Sequence, residues 1–523
     1  MADHTVSIVN PTDDDLVATV TVFAGELATT STTPPPATTT TTAPGERPPE
    51  PLTEQVEVPA GARVDVRPGD LVEAPLAAAL VEVDGGDVAV EHRVSGTHGA
   101  DVAPCSTFAS PTWHFAWGAT SRDAREIVVL FNPFPSSATV DAVFTTEAGR
   151  REPVRFQGFP VPAGSVVGVD LGDDVTRSEQ VSATFTARSG RVVAERLQQY
   201  DGTLGTRGLS LTLGVPGAAG TWVFADGEAS APSPTTPTPD AEGGGENPDD
   251  GEEPDAGDDD RSDTGDELIT AERIVVYNPG DERAQVDVSV VPTTEEPGPL
   301  PQPFRLSVGP GGYEVVDYGG QDRIVAGVPH ATVVRSTDGH PVVAERVTVD
   351  AGPAPTAQGR RATSSPPARQ GEITASAGSR LAAPVWRFPS MGDPAAPDGT
   401  FELVVFNPDP EHPVRVGVDL FAGTSREAAD EGDPADGGDI GAVEPPSIVV
   451  APGARVALQL DAVQAAAALA AAVDADGPVV VDRVVRWPDG RRLSLAAGVP
   501  GARDAVTLDD LADGGVLAGT VAG

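Results

Sequence analysis

An apolar strand closed by Asn-Pro occurs four times along this chain, at Asn10-Pro11, Asn132-Pro133, Asn278-Pro279 and Asn407-Pro408, and that recurrence constrains the fold more than any other feature. Proline lacks an N–H and cannot continue a central strand, while asparagine readily caps a turn, so the pair reads as a strand end and not as chemistry. Two further markers follow every copy, and a third follows three of them. One is a Gly-containing turn before a strand: Pro59-Ala60-Gly61, Pro162-Ala163-Gly164, Pro310-Gly311-Gly312 and Pro452-Gly453. Another is a Val-rich strand carrying an acid and then a base: Glu91-His92, Glu195-Arg196, Glu345-Arg346 and Asp482-Arg483. The last is a Leu-Ser-Leu strand with a following Gly, clearest at Leu209 to Pro216 and Leu493 to Pro500, weaker at Ile373 to Gly378.

Between the copies stands Trp-x-Phe, as Trp113-His114-Phe115, Trp222-Val223-Phe224 and Trp386-Arg387-Phe388. Each of these tryptophans is expected to open the next sandwich or to plug the joint between neighbours, because large aromatics dominate cores and interfaces. The other reading makes them the lining of a ligand groove.

Val-rich runs of five to eight residues alternate with Gly, Pro and Asp turns, the pattern of an all-β sandwich. The expected fold is a tandem array of about four diverged Ig-like β-sandwich domains. The boundaries are 3–110, 111–221, 222–383 and 384–505, with a tail at 506–523. Units of ~100 ordered residues suit a seven-stranded Ig-like sandwich. The main helical candidate is the Ala-rich stretch Ala462 to Val473. Long inserts are expected to be disordered: a Thr/Pro-rich loop at 28–50, an acidic linker at 229–267, and loops at 353–371 and 424–440.

Charge narrows the possible partners. The chain of 523 residues has a formal net charge of −45 and contains no lysine, so its 34 basic residues are all arginine. Such a surface repels phosphate backbones and argues against nucleic acid as a partner. A single Cys excludes an internal disulfide and thiolate zinc clusters. No apolar run is long enough for a membrane-spanning helix, and the N-terminus shows no signal-peptide pattern.

Polar constellations are few. On the Val-rich strands, alternation sets Glu195 among apolar neighbours, so the carboxylate needs a cationic partner. Arg188 and Arg335 are the candidates for Glu195 and Glu345. The rival role, a general acid/base with a pKa raised by burial, would require one active site per copy. His92, His98 and His114 cluster in sequence but lack metal-ligand spacing. Cys105 reads as a buried thiol. The acidic run Asp255 to Glu267 does not keep the register of a calcium loop. No catalytic residue, metal or cofactor is expected. The marked residues Asn10, Asn132, Asn278, Asn407, Trp113, Trp222, Trp386, Glu91, Glu195, Arg196, Glu345, Arg346, Asp482 and Arg483 are expected to be structural.

Several of these segments also carry a resemblance. Ala103 to Gly118, Val129 to Pro135, Val192 to Gln198 and Leu209 to Pro216 together resemble the actinobacterial family catalogued as domain of unknown function 5719. The resemblance implies an envelope or secreted placement and brings no catalytic residues with it. It also implies an N-terminal membrane anchor, and the sequence departs from the family there, starting almost directly on its first strand. The expected function is that of a non-enzymatic envelope-associated structural, adhesion or binding protein. Its partner is an unknown protein or glycan. The alternatives are an accessory protein of envelope glycan assembly and a carboxylate-dependent hydrolase.

Overall fold

A computed structural model describes residues 3–28, 50–230, 269–293, 300–319, 321–351, 371–391, 399–421, 423–424, 447–460, 470–501 and 505–513. These residues form an all-β protein of four sandwich units, each made of two facing sheets. In the second unit one sheet runs Gln157–Val161, Ala138–Thr146, Val181–Ser189 and Thr112–Phe115. The facing sheet runs Ser165–Asp170, Ala124–Asn132, Val193–Asp201 and Thr206–Leu213. The third and fourth units repeat this order. Each therefore has eight strand positions, one more than a seven-stranded sandwich. In the first unit seven of the eight positions are filled among the described residues, the place of Thr112–Phe115 being the one without a strand there.

The strands form because alternate positions are apolar and β-branched, so one face of each sheet is driven inward. Val128, Leu130, Val140, Ala142 and Phe144 meet Trp113, Phe115 and Phe185 in the second core. Each Asn of the Asn-Pro pairs is buried and does more than end a strand. Its Oδ1 accepts an N–H two residues on, the expected turn cap, from Thr12, Phe134, Gly280 or Asp409. Its Nδ2 also donates across the sandwich, to the carbonyls of Val58, Val161, Val308 and Val450. One side chain thus ties the two sheets together in every unit.

The helical candidate fails where it can be seen. Residues 470–473 belong to the strand Ala470–Arg486, whose first half pairs in one sheet and second half in the other. Tertiary pairing overrides the helix preference of alanine there. Residues 461–469 lie outside the described residues, as do the greater parts of the four inserts, including Asp255 to Glu267. Ala229, assigned to the acidic linker, is instead buried in the third core. No helix among the described residues is long and apolar enough to cross a membrane.

The units close into a ring. The four strands that follow the acid–base strands, Gly99–Pro104, Thr206–Leu213, Gly371–Ala377 and Arg492–Ala497, pack side by side, and the last returns to the first. Their registers put Asp101, Ser210, Thr374 and Ser494 at one level. Asp101 accepts the Ser494 hydroxyl and the Leu211 N–H at 2.8 Å, so the first unit bonds to the fourth and the second around the axis. An apolar cavity of about 220 Å³ lies beyond this level, walled by all four strands.

Candidate functional site

The acid–base dipeptides form the seams of the ring. Glu345 of the third unit takes Arg196 of the second at 2.8 Å. Asp482 of the fourth faces Arg346 of the third at 3.6 Å. Glu91 of the first takes Arg483 of the fourth at 2.9 Å, both fully buried. Glu195 of the second takes His92 of the first at 2.7 Å. Each acid therefore meets the base of the preceding unit, and four heterologous contacts close the circle. This corrects the partners expected from sequence. Arg188 bonds Asp141, and Glu345 takes Arg196 in place of Arg335. Partners so far apart in the chain leave no local trace in the sequence.

Three of the four seams have a second component. Glu345 accepts the Ala116 N–H at 2.8 Å, Asp482 accepts the Ala225 N–H at 2.9 Å, and Glu91 accepts the Ser390 N–H at 3.1 Å. Those donors lie just past Phe115, Phe224 and Phe388, at the ends of the Trp-x-Phe strands. The tryptophans themselves are 0 to 1% exposed. Trp113, Trp222 and Trp386 donate their indole N–H to the carbonyls of Val192, Val342 and Val479 inside their own units. Each phenylalanine ring lies against a glycine. A Cβ at Gly214, Gly378 or Gly498 would come within 2.9, 2.9 or 2.5 Å of Phe115, Phe224 or Phe388.

The first unit departs from this plan at every one of those positions. Among the described residues it shows no Trp-x-Phe strand, and a cavity of about 680 Å³ occupies the corresponding space. Val88 and Val90, the counterparts of the buried pairs Val192/Ala194 and Val342/Ala344, are only partly buried. The strand Leu76–Val83 pairs with Leu16–Leu27 along one edge and has no strand on its other edge among the described residues. Its counterparts Val181–Ser189, His330–Ser336 and Ala470–Arg486 all carry a Trp strand there. Cys105 stands where the other units have glycine, its N–H bonding Val90 as Gly214 bonds Ala194. The base is His92 where the others have arginine; Arg196 and Arg346 lie over Phe115 and Phe224, rings without a first-unit counterpart.

The cavity has a polar end. His92 bonds Glu195 through Nε2 and His4 through Nδ1, at 2.7 and 3.2 Å. Burial pushes His92 down, but the Glu195 carboxylate outweighs it and holds the imidazole above its ordinary range. Burial, with the neighbouring His92, holds His4 down to about 3. The two rings are thus pushed apart in basicity, His92 being the one that holds a proton between His4 and the Glu195 carboxylate to higher pH. Burial pushes the Cys105 thiol up, so it is a protonated, weakly polar wall and not a nucleophile. Phe108 is exposed at the cavity's lining.

His114 lies elsewhere, bonded to Thr184. Among the described residues no three His, Cys, Asp or Glu side chains are grouped to hold a metal ion. Sequence reading marked Glu195 and read Cys105 as a buried thiol, but missed His4, Val88 and the edge strand Leu76–Val83. The available signal was Cys105 in a glycine's place.

Residues 85–352, half of the chain, match the family model described as family of unknown function DUF5719. No curated protein matches. Among solved structures, a Thermotoga maritima protein designated 1070 aligns at 13% identity over 31% of this chain and 94% of its own, with a TM-score of 0.19. The Anabaena sensory rhodopsin transducer aligns at 20% identity over 25% of this chain and 86% of its own, with a TM-score of 0.16. Likeness at that level says nothing about function.

Proposed function

The chain belongs to that family of unknown function, DUF5719, and we propose that it is a non-enzymatic binding protein of the cell envelope. Its closed ring would act as a rigid frame, and its incompletely filled first sandwich as the binding site. One observation carries the reading: among the described residues, a single unit of four leaves core valines and a sheet edge uncovered beside a cavity of about 680 Å³. Large uncovered apolar surface in a soluble fold marks an interaction site. The envelope placement is supported by the Thr/Pro tract at residues 29–42, whose composition suits a glycosylated extracellular stalk. The buried tryptophans offer no stacking surface for a glycan, which favours this reading over polysaccharide binding.

The test is fractionation and protease shaving of intact source cells expressing the chain or its Ala79→Phe variant, which fills the cavity. We expect surface-released peptides from the unaltered chain, and loss of envelope retention in the variant at unchanged melting temperature. Recovery of the chain only after lysis, or equal retention of the filled variant, refutes the reading.

A further inference from the structure

We propose that the apolar cavity on the ring axis binds a small straight-chain carboxylate, its chain lying between the four axial strands and its carboxylate on Arg380. The inference goes beyond the reading of the first sandwich as a binding site and does not depend on it. The two cavities share only the Pro104 and Leu213 walls.

The axial cavity is closed at one end and open at the other. The level of Asp101, Ser210, Thr374 and Ser494 closes it, and Val102, Leu211 and Leu495 form buried walls next to that level. Further along the strands Pro216, Arg380, Leu381 and Pro500 are only half-buried, so the cavity meets solvent there. A concave apolar site with a few placed polar groups is the usual form of a small-ligand pocket. A cavity of about 150 Å³ holds benzene. At about 220 Å³ this one takes about eight to ten non-hydrogen atoms, a carboxylic acid of about six to eight carbons.

Arg380 is where the repeat breaks at this cavity. Gly214, Gly378 and Gly498 make the same bond to the acid–base strand, through the carbonyls of Ala194, Ala344 and Val481. Two residues on, the second and fourth units have Pro216 and Pro500, and the third has Arg380. Proline meets the needs of the fold at this position, so the fold does not call for a cation. Arg380 is the one charged side chain in the lining, and no Asp or Glu among the described residues lines the cavity with it. Thr212 accepts from Arg196, and Ser379 donates to the Leu381 carbonyl. The Arg380 guanidinium has neither a hydrogen bond nor an ion pair among the described residues. Burial disfavours its charge, and Asp509, the carboxylate that acts against this, is itself bonded to the Gly220 N–H at 2.9 Å. A partly buried guanidinium calls for an anion, and a carboxylate fits its planar fork. A carboxylate on a short apolar chain satisfies the arginine and the walls together.

The experiment titrates the full chain with butanoate, hexanoate, octanoate and hexan-1-ol and reads intrinsic fluorescence, since Trp222 and Trp386 line the cavity. We expect hexanoate and octanoate to saturate with a Kd of about 1 mM or below. Butanoate should bind about tenfold more weakly for its two lost methylenes, and hexan-1-ol about tenfold more weakly for its lost charge. Arg380→Gln, at a half-buried position, should weaken octanoate about tenfold and leave hexan-1-ol unchanged. Ala497→Leu, which fills the cavity, should abolish both, and Ala79→Phe in the first sandwich should alter neither. The inference is overturned if no carboxylate saturates by about 10 mM, or if Arg380→Gln weakens acid and alcohol alike or neither. It also falls if Ala79→Phe removes the binding, which would move the ligand to the first sandwich. Binding by a chain ending at Asp513 that the full chain lacks would make residues 514–523 the occupant and overturn it as well. None of these results bears on the envelope retention of the Ala79→Phe variant, so the two readings stand or fall separately.

Discussion

Arg196 has no exposure, and its charge is met by Glu345 of the neighbouring unit and the Trp117 carbonyl. A buried pair of this kind adds little net stability over an apolar pair, because both charges lose their water. Its loss is costly in only one direction. Arg196→Met leaves Glu345 buried and uncompensated, and urea denaturation should show a loss of about 3–5 kcal/mol. Adding Glu345→Gln should restore most of it, since no charge is then left behind. If the double variant is as unstable as the single, packing of the arginine stem and not its charge holds the seam. The dipeptides were legible in the sequence as recurrent and semi-buried. Their partners were not, because burial on a strand says that a carboxylate needs a cation and nothing about which of 34 arginines supplies it.

A Trp-x-Phe strand works as an element through three contacts: indole to carbonyl, ring to glycine, and terminal N–H to the next unit's acid. The glycine is the least forgiving of these. At Gly214 a Cβ would meet the Phe115 ring at 2.9 Å and the Ala194 carbonyl at 3.1 Å. Gly214→Ala should therefore lower stability by about 1–3 kcal/mol, the range for overpacking a filled core. The same position in the first unit already carries Cys105, so Cys105→Ala should shift the melting temperature little. Equal losses at both sites would mean that the first unit is packed like the rest. The strand itself was readable from its aromatic pair and its place between copies. What the strand covers in each unit was not readable, because the glycine and the carbonyl it meets lie about 80 to 150 residues further along the chain.

Across the whole molecule, the axis holds one carboxyl among three hydroxyls. Burial pushes Asp101 up to about 7, against the pull of the bonds it accepts from Ser494 and two backbone N–H groups. The folded chain then binds a proton that the unfolded chain has released, between about pH 4 and 7, so this group makes stability fall as pH rises through that window. Glu126, pushed by burial up to about 8, acts in the same sense. His4 and His114, held down by burial to about 3 and about 4, act oppositely: they cost stability as pH drops below the ordinary histidine range. Asp101→Asn should flatten the pH dependence of unfolding between pH 4 and 8 by on the order of 3 kcal/mol, whatever it does to absolute stability. An unchanged slope would remove Asp101 from the account.

The sequence by itself determined the all-β class, the recurrence of the unit, the turn at each Asn-Pro and the burial of the three Trp-x-Phe tryptophans, because alternation, proline and aromatic size act within a few residues of where they are written. Only the tertiary structure decided that four units close into a ring, that each acid takes its neighbour's base, and that the first unit keeps a cavity. Those outcomes depend on which surfaces meet across more than a hundred residues of chain, and short-range patterns hold no record of that meeting.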